Sequence, residues 1–234
     1  MISAHIDHVW IKALVLVAIH LAAPLMRPWL KNKERVINAF GGGLAISYVF
    51  LHLLPEVAEG KEHLGMYSFF IVLCGFVFFY LANVLAKRSN KNVHKTTQHY
   101  RVSLGSYWLY SFILVIGLPR DFSESHLHIM LMTFAAVLHI IHEDFELAET
   151  HHRFFDKTGR YILATAPIFG IFVRWYILPE SDYLVHAITS LLAGSLLFNV
   201  ARNELETPSR ASLMWFFTGI ITYSGLLYII QQTW

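Results

Sequence analysis

Eight apolar runs, each about 20 residues long and bounded by charged or turn residues, limit what this chain can fold into. A helix rises about 1.5 Å per residue, so a run of that length crosses a hydrocarbon layer of about 30 Å with its backbone hydrogen bonds made internally. The runs read as helices near 9–30, 36–56, 66–86, 101–119, 125–149, 160–179, 183–204 and 211–231. They leave no room for a sizeable water-soluble domain, and so predict a single all-α transmembrane domain over residues 1–234. The composition agrees. The chain is 56% hydrophobic and 15% charged with mean hydropathy +0.49, whereas soluble domains run roughly 45–50% and about 25%.

Charges between the runs alternate in sign. The connections after the first, third, fifth and seventh runs hold 14 of the 18 basic residues, among them Arg27, Lys31, Lys87, Arg101, Arg153, Lys157 and Arg202. The other connections are acidic or balanced, as with Glu59, Lys61 and Glu62, or Glu180 and Asp182. By the positive-inside rule the basic connections face the cytoplasm and both termini lie outside, in a plasma or inner membrane. The start, MISAHIDHVW, has no basic segment of the kind that opens a cleavable signal peptide. A single cysteine, Cys74, excludes an intramolecular disulfide and a Cys-based zinc site. A net charge of +2 gives no argument for a nucleic-acid partner. The expected partners are the bilayer, a metal ion and, as an option, a second copy of the chain in a homodimer.

The fifth run carries the chemistry. FAAVLHIIHEDFELAET places His139, His142, Glu143 and Glu146 at relative positions 0, +3, +4 and +7, one face of a helix. Isolated carboxylates in hydrocarbon are costly, so this face must look toward a partner, a metal or a water-filled cavity. A His with a Glu four residues on is half of a workable zinc site, because Zn²⁺ favours imidazole nitrogen and carboxylate oxygen. His142 is the expected third ligand, and Glu146 and Glu149 could pass an ion or a proton onward. The bland alternative is that His139, His142 and Glu143 pair with helix-four hydroxyls such as Tyr110, or with Asn199, and hold the bundle together.

The remaining runs offer less. His52 and Glu56 share a face near the outer end of the second run, where Pro55 removes one backbone hydrogen bond. They read equally as an outer metal-capture pair or as a solvated cap. Gly41, Gly42 and Gly43, and the trio Ala193, Gly194 and Ser195, read as close helix crossings. Asn199 needs a partner or water. His20 reads as hydrogen-bonded to a neighbouring helix and receives no functional role. His94 and His99 lie in a basic connection with weak metal capture as the minor reading.

Several of these stretches resemble the ZIP (Zrt/Irt-like) family of divalent-metal transporters. GGGLAISYVFLHLLPE at 41–56 is similar to the family's second helix, and His139-Ile140-Ile141-His142-Glu143 to its His-x-x-Pro-Glu motif, with His142 standing where proline is usual. AGSLLFNVARNELE at 193–206 is similar to the seventh helix. The resemblance implies eight spans, transport of Zn²⁺ or a similar ion into the cytoplasm, and carry-over of His139, Glu143, His52 and Glu56. The chain departs from the family at the fourth helix, which has no His, Asp or Glu, and at the sixth, where Ala166 precedes Pro167. A two-metal centre bridged between the fourth and fifth helices is therefore not expected.

Two function classes follow. One is a ZIP-like transporter with a reduced single-metal site and no organic cofactor. The other is a membrane-embedded metalloenzyme, or a ZIP-fold protein that has lost transport. Haem ligation has little support, since His20 is the nearest second imidazole.

Overall fold

Helix is the regular structure that the computed structural model shows among the described residues, which are 2–31, 33–88, 93–117, 126–176, 182–205 and 210–232. The chain runs through α1 (Ile2–Leu30), α2 (Glu34–Tyr48), α3 (Leu54–Glu59), α4 (Lys61–Leu64), α5 (Tyr67–Arg88), α6 (Val93–Ile116), α7 (His126–Thr150), α8 (His152–Phe154), α9 (Arg160–Tyr176), α10 (Asp182–Leu205) and α11 (Arg210–Gln232). Among the described residues five segments are long and apolar enough to cross a membrane: Trp10–Leu30, Arg35–Leu64, Tyr67–Ala86, Tyr183–Arg202 and Ser212–Ile229. The expected helix ends at 118–119, 125 and 177–179 lie outside the described residues.

Three boundaries differ from the sequence expectation, the first being that α1 begins at Ile2 rather than near 9. α6 starts at Val93 rather than near 101, because residues 93–100 contain neither proline nor glycine and nothing stops the helix from continuing into the basic segment. The second run is interrupted. Between α2 and α3 lies a wider π-type turn, Val49–Leu53, in which the Leu54 N–H donates to Val49 O, five residues back. Pro55 follows directly; it has no N–H to give the Leu51 carbonyl, and the wider turn accommodates that loss within a continuing helix.

Four helices form an inner ring, with α2 against α7, α7 against α6, α6 against α10 and α10 against α2. The others lie outside it: α11 on α2, α5 on α10 and α6, α9 on α6 and α1, and α1 on α7. The ring closes tightly because glycines meet backbone. A Cβ on Gly43 would run into Phe216 O of α11, and one on Gly219 into Phe40 O of α2, so these helices approach reciprocally. α5 and α10 do the same through Gly75 against Leu191 O and Gly194 against Val72 O. The crossings expected at Gly43 and Gly194 are therefore present. At the end of α6, buried Arg174 of α9 donates to Val115 O at 3.2 Å and Ile116 O at 3.0 Å, satisfying carbonyls that the helix itself leaves open.

Polar and apolar residues are distributed as a hydrocarbon solvent demands. Leu25, Phe70, Leu85, Phe217 and Ile221 point outward, while His20, Ser111, His139, Glu143, Asp144 and Asn199 are buried. Such an outer surface of large apolar side chains matches a lipid surround far better than water.

Candidate functional site

α7 supplies the centre. Its i, i+4 spacing sets His139 Nε2 3.4 Å from Glu143 Oε1, with the two side chains only 5% and 2% exposed. Asn199 of α10 donates from Nδ2 to the same Glu143 oxygen at 3.3 Å. The ring of Tyr110, from α6, stands edge-on to His139 at 5.0 Å between centroids. Among the described residues neither His139 Nε2 nor the Tyr110 hydroxyl has a hydrogen-bond partner, although both are buried. An orphaned buried polar atom costs about 1–3 kcal/mol, so this centre holds unused ligating capacity.

His142 sits differently. It lines a narrow gap between α2 and α7 with Asn38, Gly41 and Gly42, and His139 borders the same gap. Glu146, a turn beyond Glu143, accepts from the Tyr107 hydroxyl at 2.7 Å and from Arg202 Nη2 at 2.9 Å. That carboxylate therefore ties α6, α7 and α10 together. Beside it lies a cavity of about 60 Å³, lined among others by His99, Ser103, Ser106, Asn199 and Arg202. Glu149 is half-buried on α7 and does not line this cavity.

At the same end of the bundle, His99 Nδ1 lies 3.2 Å from His151 Nε2. Burial lowers the pKa of both imidazoles; Glu146 partly opposes this at His99, and His99 adds to it at His151. At the opposite end, His52 stacks on Tyr48 at 5.3 Å and sets Nε2 3.7 Å from Glu56 Oε2. Thr189 of α10 donates to Glu56 Oε1 at 3.4 Å. Nearby, His63 stacks on His186 with centroids 5.0 Å apart and planes 15° from parallel.

The structure thus brings expected residues together in pairs, His139 with Glu143 and His52 with Glu56, and adds Asn199 to the first. Among the described residues, no group of three or more His, Cys, Asp and Glu converges on a point where a metal could sit. Three partnerships escaped the sequence. Asp144 binds His20 of α1, because one residue step turns a helix side chain by about 100° and so points it away from Glu143 toward the outer helix. Arg202 is drawn into the bundle by Glu146, although a basic residue at a helix end reads as a topology signal. His99 and His151 meet across 52 residues. The only local signal for Asp144 was its place in the run His142-Glu143-Asp144-Phe145-Glu146, a carboxylate too many for one face.

No protein-family model matches the chain, and no curated protein matches it.

Proposed function

We propose that this chain is an eight-span membrane protein that carries a divalent metal ion, Zn²⁺ or one of similar chemistry, through the ring of α2, α6, α7 and α10. The observation that carries this reading is His139 Nε2, a buried ring nitrogen without a hydrogen-bond partner among the described residues, 3.4 Å from a buried carboxylate. Zinc takes imidazole nitrogen at about 2.0–2.1 Å and carboxylate oxygen at about 2.0–2.2 Å, so one ion fits between two donors at that separation. His142 would swing from the adjoining gap to serve as the third protein ligand, leaving a position for water and hence an exchangeable site.

His52 and Glu56 form the outer mouth of this path, and Glu146 with the cavity beside it forms the inner one. The basic connections put the Glu146 end in the cytoplasm of a plasma or inner membrane, with both termini outside. The resemblance to ZIP transporters at residues 41–56, 139–143 and 193–206 supports the same direction, inward. A second reading, a ZIP-like bundle without transport, is favoured by the contacts of Asn199 with Glu143 and Tyr110 with His139, which let the same residues serve cohesion alone.

Zinc uptake into liposomes loaded with a zinc-sensitive dye tests the proposal. Wild-type protein should raise the initial rate above that of protein-free vesicles, and His139→Ala or Glu143→Gln should cut it at least tenfold. Uptake by Glu143→Gln at the wild-type rate, or none by the wild type, would sink the transport reading.

A further inference from the structure

The end of the bundle that holds His99 and His151 contains a second arrangement of metal-binding atoms, apart from the pair on α7. His99 lies in the first turns of α6, while His151 occupies the junction between α7 and α8. The two rings present Nδ1 and Nε2 to each other at 3.2 Å. Two nitrogens bound to one tetrahedral zinc at about 2.05 Å stand about 3.3 Å apart, so these two already have the separation a shared ion requires, and the rings turn only to aim their lone pairs at it.

His99 is carried on α6, and His151 is held in place at its junction. The His151 N–H donates to Leu147 O at 3.0 Å, and its carbonyl accepts from the N–H groups of Phe154 and Phe155 at 3.1 and 3.0 Å, which fixes the backbone at the junction. Tyr100 packs edge-on against the His151 ring, with centroids 5.1 Å apart. His99 also borders the cavity of about 60 Å³ that contains Glu146, which gives room for the water molecules that complete a coordination shell. Glu146 supplies negative charge close to His99.

We propose that His99 and His151 clamp one divalent transition-metal ion at this mouth of the bundle, with water filling the remaining positions. Two imidazoles select zinc, copper, nickel or cobalt over magnesium and calcium, which prefer oxygen donors. With two protein ligands the site exchanges its ion readily. It stands whether or not His139 and Glu143 carry cargo; if they do, an ion leaving the centre past Glu146 meets His99 next.

Equilibrium dialysis with zinc tests this on tag-free, full-length protein in detergent. The His139→Ala/Glu143→Gln variant serves as background, so that failure of the central site cannot register as failure of this one. That background should bind one zinc ion in the presence of excess Mg²⁺, and adding His99→Ala or His151→Ala should weaken its Kd at least tenfold. Loss of zinc from the background itself, or an unchanged Kd in the two truncations, would overturn the assignment and leave a plain hydrogen bond between the rings. A His99→Cys/His151→Cys variant guards against misfolding. It should bind Cd²⁺ with a thiolate-to-metal ultraviolet band, and a monodisperse protein without that band would equally overturn the proposal.

Discussion

His20 on α1 sets its Nδ1 2.8 Å from Asp144 Oδ2 on α7, and the two side chains are 2% and 1% exposed. The other ring nitrogen lies 3.2 Å from the Ser111 hydroxyl of α6, so one imidazole joins three helices. Asp144 neighbours Glu143 in sequence yet is turned about 100° from it around the helix, which separates a cohesive contact from the central site by one step.

Removing Asp144 takes the charge partner from His20 and leaves that imidazole the Ser111 hydroxyl alone. Asp144→Ala should destabilise the detergent-solubilised protein by about 3–5 kcal/mol, read from its thermal unfolding midpoint. Replacing both, as His20→Leu/Asp144→Leu, should cost far less, because neither member of the pair is left buried alone. Equal losses in the single and double variants would show that the pair contributes nothing by its charge.

Glu146 accepts two hydrogen bonds from different helices, and they are unequal. Tyr107→Phe removes the neutral donor and should cost about 1.5–3 kcal/mol, the usual range for a hydrogen bond to a charged group. Arg202→Ala removes the countercharge and should cost more, since the carboxylate then keeps a single hydroxyl donor. A ranking in the opposite order in the same unfolding assay would refute this account.

Glycine positions divide by what stands in front of them. A Cβ on Gly194 would meet Val72 O and Phe76 N of α5, so Gly194→Ala should push α5 from α10 and cost about 1–3 kcal/mol. Gly105, inside α6, has nothing within 4 Å of its added Cβ. Gly105→Ala should therefore stabilise the protein by about 0.5–1 kcal/mol. Comparing the two unfolding midpoints against wild type decides the matter.

The imidazoles at the Glu146 end make stability depend on pH. His99 and His151 both have folded pKa values below the ordinary 6.5, chiefly through burial, so the unfolded chain binds protons more readily than the folded one. Their contribution is intact above 6.5 and is lost as the pH falls from there through the folded values. The unfolding midpoint, measured without metal, should therefore drop as the pH is lowered below that point. The drop should be smaller in His99→Gln/His151→Gln; an identical profile in that variant would place the acid sensitivity elsewhere.

Much of the site was legible because it lies along one helix. The spacing of His139 and Glu143 forces them onto one face, and the structure gives that face to the ring interior. His142 shows the limit of the argument. It sits only one step beyond the apolar Ile141, and its place beside Asn38 and Gly41 depends on where α2 packs. The early start of α6 was missed for a different reason, since basic residues suggest a connection but do not break a helix.

The sequence by itself determined the helices, their apolar outward surfaces, two of the glycines at which they cross, Gly43 and Gly194, and the prominence of the α7 face. These follow from periodicity, side-chain volume and the cost of charge in hydrocarbon, all of which act within one segment. Only the tertiary structure decided that His20 answers Asp144, that Arg202 answers Glu146, and that His99 and His151 converge. A helix fixes the angle of each side chain about its own axis, but the neighbour at that angle depends on the rotation and depth of a different helix, and those are settled by packing among all of them at once.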